Sequence, residues 1–154
     1  MDDPRDLLVR LSAHPTTIES LGEGRWLCDF GHAAFAGLEL AGSLPPGLTL
    51  RLGEQRRPGG VVEMQPSGSL RALELTGLGP GPVPLPAWQP PRWADPTHHV
   101  RLPARLGEVM PLRYAELVGL ERAPRPEELI RQQVQLPLDP AAAGFRSSDP
   151  GLDA

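Results

Sequence analysis

Pro45-Pro46-Gly47-Leu48-Thr49-Leu50-Arg51-Leu52-Gly53 decides the fold class. The opening triplet is a turn signal. Behind it, Leu48, Leu50 and Leu52 alternate with Thr49, Arg51 and Gly53, the period of a strand with one face in a core and the other towards solvent. Upstream, Trp26, Cys28 and Phe30 share one face of a strand over Arg25–Gly31. Gly31 marks a bend or bulge. A second strand follows over Ala34–Leu40, with Leu38 and Leu40 inward and Glu39 outward. Downstream, Leu73 and Leu75 alternate with Glu74 and Thr76. Val100 and Leu102 alternate with His99 and Arg101, and Leu112–Val118 is the next strong strand.

The flanks are less regular. Leu7–Leu11 reads as a strand or one helical turn, and Ser12–Ser20 as a polar link. Arg56–Gly60 is polar and interrupts structure. Gly77–Pro96 is proline-rich, and proline cannot donate to a ladder, so this stretch is an extended loop rather than a central strand. Glu127–Gln133 admits a helix, because Pro126 suits a first helical position. Ile130, Val134, Leu136 and Leu138 keep a period of two, which favours a strand. About seven short strands with frequent turns and no long helix give an all-β fold, an antiparallel β-sandwich of jelly-roll type with long proline-rich loops.

Composition narrows the function. A chain of 154 residues suits one domain. The 17 glycines and 20 prolines fall mostly between apolar runs and act as turn punctuation. All 15 basic residues are arginine and the net charge is −4, with no basic run longer than Arg56-Arg57. The dense basic face expected of a nucleic-acid partner is missing. One cysteine, Cys28, excludes an internal disulfide framework and a thiolate metal cluster. No apolar run reaches eighteen residues, so no membrane-spanning helix is expected. The acidic start, Met1–Asp6, lacks the features of a signal peptide, giving a cytoplasmic expectation.

Candidate chemistry is sparse. His98 and His99 are adjacent and would point to opposite faces of a strand, so they cannot easily grip one ion. His14 and His32 are distant. No metal and no cofactor is expected. Cys28 stands between apolar strand neighbours, which favours a buried, inert thiol over a nucleophile. Trp88 and Trp93 offer either a stacking surface for a sugar or protein, or a lid folded over the sandwich edge.

Four segments together resemble a known family. They are Trp26–Gly31, Gly37–Leu40, Leu50–Glu54 and Leu112–Leu120. They are similar to the β-sandwich domain that precedes the (α/α)6 catalytic barrel in bacterial α-L-rhamnosidase-like glycoside hydrolases. Gly144–Leu152 looks like the family's lead-in to the first barrel helix, and Asp149-Pro150 is a helix-start signal. Leu112 stands where the family has an aromatic residue, and residues 57–96 match poorly.

The resemblance implies a lead-in over residues 1–23, a sandwich over 24–140 and the start of a linker over 141–154. The catalytic barrel itself is absent, as if the gene product were truncated or split. It places the family-motif positions at Asp29, Phe30, Gly31 and Glu54, and carbohydrate or interdomain contacts at Trp88, Trp93, Arg113, Tyr114 and Glu116. The family's catalytic carboxylates lie in the barrel, so none is carried to this chain. Asp29, Glu54 and Glu116 are the carboxylates to weigh for glycoside hydrolysis, against strand-end and arginine-pairing roles. The implied function is a non-catalytic accessory domain that packs against a barrel in cis or in trans and flanks its sugar site. Alternatives are a stand-alone carbohydrate-binding module and an interaction module for a separately encoded catalytic subunit. Implied partners are the barrel and rhamnose-containing glycans, with self-association through the exposed docking face, and neither nucleic acid nor membrane.

Overall fold

A computed structural model describes residues 4–68, 70–87 and 102–137. The strands are β1 (Val9–Ala13), β2 (Thr17–Gly22), β3 (Arg25–Leu40), β4 (Leu48–Gly53), β5 (Ala72–Leu78), β6 (Gly81–Pro82), β7 (Met110–Val118) and β8 (Leu129–Gln135). Short 3-10 turns cover Pro4–Leu7, Ala104–Leu106 and Pro126–Glu128. All strand pairs are antiparallel, in the order β1-β8-β3-β7-β4-β5, with β2 and β6 also on β3. The architecture is all-β, consistent with a β-sandwich.

The 16-residue β3 is the spine. Its first part, Arg25–Asp29, lies between β2 and β7, and its last part, Gly37–Leu40, meets β8. Glu39 and Leu40 also pair with β6. Between Asp29 and Ala34 the register to β7 shifts. Gly31, at φ +82°, takes the left-handed conformation that this bulge requires and that costs glycine least. The two strands expected on either side of Gly31 are therefore one bulged strand within a single eight-stranded sheet.

The alternating leucines pack as their period demands. Leu48, Leu50 and Leu52 are buried with Cys28, Phe30, Leu38, Leu40, Leu112, Leu117 and Leu129 in the main core. Burying each such side chain contributes about 1.5–3 kcal/mol. A second, smaller cluster lies on the opposite face of the sheet, where Leu27 and Tyr114 pack with Val62. Residues 54–66 cover this face, tied down by an Arg56–Val62 bridge and by the Glu63 N–H donating to the Gln55 carbonyl.

Several expectations need correction. The polar link Ser12–Ser20 holds the end of β1 and most of β2, with Ile18 packed on the core. Leu102 is outside any strand, and Val100 lies outside the described residues. The start of the proline-rich stretch pairs with the end of β3: Pro82 opposes Glu39, and the Val83 N–H donates to the Leu38 carbonyl. Proline is tolerated there because the pairing is only two residues long. A strand does follow Pro126, which begins only a 3-10 turn, but β8 ends at Gln135 and buries Leu129 and Arg131 rather than Ile130 and Val134. Leu136 is past its end and Leu138 lies outside the described residues.

Candidate functional site

Four of the residues marked in the sequence, Asp29, Gly31, Arg113 and Tyr114, meet where β3 and β7 run side by side. Asp29 and Tyr114 are cross-strand partners. Arg113 donates from Nε to Oδ1 and from Nη2 to Oδ2 of Asp29, both at 3.0 Å. Oδ1 also accepts the Gly31 N–H at 2.7 Å, a local turn that braces the bulge. Partial burial pushes the Asp29 carboxyl up. The Arg113 bonds, the Gly31 N–H and the charges of Arg113 and Arg56 outweigh it, so the carboxyl sits below its ordinary value. The Arg113 guanidinium lies 4.8 Å from the Tyr114 ring centroid and that of Arg56 lies 6.0 Å away, within the range of cation–π attraction.

Glu116, on the same strand as Tyr114, is fully buried. It stands opposite Leu27 on one side and Arg51 on the other. Arg51 donates to it at 3.1 Å, the Val62 N–H donates at 3.1 Å, and Arg25 approaches to 3.8 Å. A buried carboxylate is tolerated only when paired and hydrogen-bonded in this way. Glu54 is elsewhere, just past the end of β4, where it accepts the Arg71 N–H at 3.4 Å. With Phe35, Ala33, Ala34, Arg71 and Pro111 it lines an open cavity of about 310 Å³. Burial lowers the Arg71 guanidinium, partly offset by the Glu54 charge. Asp29, Glu54 and Glu116 thus have separate sets of partners, and no hydrogen bond joins them.

Phe30 points into the main core and carries the guanidinium of Arg131 4.9 Å from its ring centroid. Arg131 is fully buried. It donates to the His32 carbonyl at 2.7 Å, the Leu112 carbonyl at 3.3 Å and Gln133 Oε1 at 2.9 Å, and meets His32 Nε2 at 3.3 Å. Burial lowers its affinity for the proton, with the charge of Asp29 in partial opposition. A second arginine–carboxylate cluster closes the far end. Glu128 accepts from Ser43, Arg122, Arg125 and the Arg125 N–H, and these bonds hold its carboxyl far below the usual range. Burial pushes the Cys28 thiol up to about 12.

Of the residues marked in the sequence, the structure brings Asp29, Gly31, Arg113 and Tyr114 into contact, with Glu116 further along β7 on its own partners, Glu54 apart and Phe30 on the opposite face. Trp88, Trp93, His98, His99 and the Asp149-Pro150 signal lie outside the described residues. Arg51, Arg131, Glu128 and Phe35 were not singled out. Arg51 alone had a usable signal, since it alternates with core leucines on the outward face of β4. Among the described residues no three His, Cys, Asp or Glu side chains gather as metal ligands, and no helix is long and apolar enough to cross a membrane.

No protein-family model and no curated protein matches the chain. Solved structures do. The α-L-rhamnosidase of Streptomyces avermitilis, complexed with L-rhamnose, is similar at 15% identity and a TM-score of 0.50, over 84% of this chain and 11% of that one. The α-L-rhamnosidase of Dictyoglumus thermophilum is similar at 15% identity and a TM-score of 0.47, over 82% of this chain and 13% of that one. The chain thus spans 11–13% of these enzymes' length, and what it shares with the Streptomyces protein is a fold.

Proposed function

We propose that this chain is a non-catalytic accessory β-sandwich domain of an α-L-rhamnosidase-like protein, which packs against an (α/α)6 catalytic barrel and flanks its sugar site. The observation that carries this reading is the partial match: 84% of the chain follows the fold of 11% of the Streptomyces enzyme. The state of the carboxylates supports it. Glycoside hydrolysis needs two carboxyl groups facing each other across a cleft, whereas Asp29 is gripped by Arg113 and Glu116 by Arg51 and the Val62 N–H. The barrel is supplied in cis or by a separately encoded subunit.

The test is to purify the chain and mix it with an α-L-rhamnosidase barrel from the same genome. Light scattering after gel filtration should show a one-to-one complex, and the chain alone should not cleave an aryl α-L-rhamnoside. Turnover by the chain alone that disappears in Asp29→Asn or Glu116→Gln would make it an enzyme. Failure to bind any barrel of that genome would remove the accessory role.

A further inference from the structure

The geometry points to a monosaccharide-sized binding site on this chain itself, with Phe35 as its stacking platform and Glu54 and Arg71 as its polar rim. Phe35 is 60% exposed, although it lies within β3. It opposes Pro111 of β7, and Ala33 and Ala34 leave the surface beside the ring low. The cavity these residues share with Glu54 and Arg71, about 310 Å³, is at the small end of the range for small-molecule sites.

This combination suits a pyranose. One face of such a ring is a patch of C–H groups that covers an aromatic ring, and its edge carries hydroxyls. A carboxylate accepts from neighbouring hydroxyls and a guanidinium donates to them, with charge assistance. The Arg71 N–H bond to Glu54, at 3.4 Å, keeps the carboxylate beside the arginine. A protein partner is a poorer fit, because protein interfaces centre on contiguous desolvated patches. Leu11, another exposed large apolar residue, pairs through Gln133 with Ala36. That register puts Leu11 on the face opposite Phe35, so the two do not merge into one patch. The site does not depend on the accessory-domain reading, nor on Trp88 or Trp93.

The test is titration of the 15N-labelled full chain with L-rhamnose, D-galactose and D-glucose at millimolar concentration. At least one sugar should shift the amides of Ala33, Ala34, Phe35, Glu54 and Arg71. Phe35→Ala and Glu54→Gln should each weaken that binding about tenfold or more, equivalent to about 1.4 kcal/mol, while Trp88→Ala and Trp93→Ala leave it intact. The exposed position of Phe35 lets its replacement keep the fold, which the amide spectrum of the variant verifies. No shift with any of the three sugars, or binding unchanged in Phe35→Ala, would overturn the site. Either result would leave association with a barrel standing, so the two proposals fail separately.

Discussion

Arg113 holds Asp29 by both carboxylate oxygens, each at 3.0 Å, across the β3–β7 pair and beside the bulge at Gly31. The two-pronged geometry needs a planar fork, which lysine lacks. Asp29→Ala should therefore cost about 1–2 kcal/mol, the lower part of the range for charged hydrogen bonds, because the Arg113 side chain is 37% exposed. Arg113→Lys should recover little of the bond. Urea denaturation of both variants measures this, and wild-type midpoints for both would contradict it.

Arg131 is predicted to matter more than its sequence context suggests. It is fully buried, has no carboxylate within ion-pair distance among the described residues, and supplies donors to the His32 and Leu112 carbonyls. Arg131→Met keeps much of the volume and removes the donors. The bulge carbonyl of His32 then loses its partner, at about 1–3 kcal/mol. A thermal unfolding midpoint equal to wild type would show that the buried guanidinium contributes nothing net.

Acid should destabilise the chain. Hydrogen bonds from Arg122 hold Glu128 down, those from Arg57 hold Glu63 at about 2, and Asp29 lies below its ordinary value once Arg113 overcomes the upward push of burial. Each of these carboxyls binds a proton less readily folded than unfolded. Their contribution is complete above the unfolded values near about 4 and is lost as pH falls towards the folded ones. The melting temperature should drop steadily from about pH 5 to about pH 3. A flat profile would mean that these pairs contribute no net stability.

Cys28 should be chemically silent until the chain opens. The thiol is fully buried and raised to about 12 by burial, so the reactive thiolate is scarce at neutral pH. A chromogenic disulfide reagent should react slowly with the native chain and rapidly in urea. Fast modification of the folded protein would indicate an opening near β3 that the structure does not show.

Alternation reveals the strands with one wet face, and it misses both a strand that is mostly exposed and places where both faces are covered. Leu48–Leu52 was legible because its outward positions carry Thr49 and Arg51. β2 was hidden because only Ile18 and Leu21 of its six residues are even partly buried. β3 was read as two strands because Gly31 and His32 interrupt the pattern, although the backbone continues through them as a bulge. The role of residues 54–66 was not legible, since the burial of Leu27, Tyr114 and Glu116 depends on Val62 returning over the sheet from a segment rich in turn residues. Asp29 is legible as a motif position and Arg113 and Tyr114 as contact residues, yet their mutual contacts depend on strand register. Arg131 gave no sign at all, because an arginine in a strand reads as a surface residue until its acceptors, His32 and Leu112, are brought to it from far along the chain.

The pairing of β1 with β8 joins Val9 to Gln135, which has a consequence during synthesis. On the ribosome, Val9 is made 126 residues before its partner, roughly 6–25 s at about 5–20 residues per second. Throughout that interval the β1 backbone has no ladder to join, and β3 lacks the neighbour that covers its second half. The nascent chain therefore has to stay unaggregated with its spine half dressed, and can close only once β8 has left the exit tunnel.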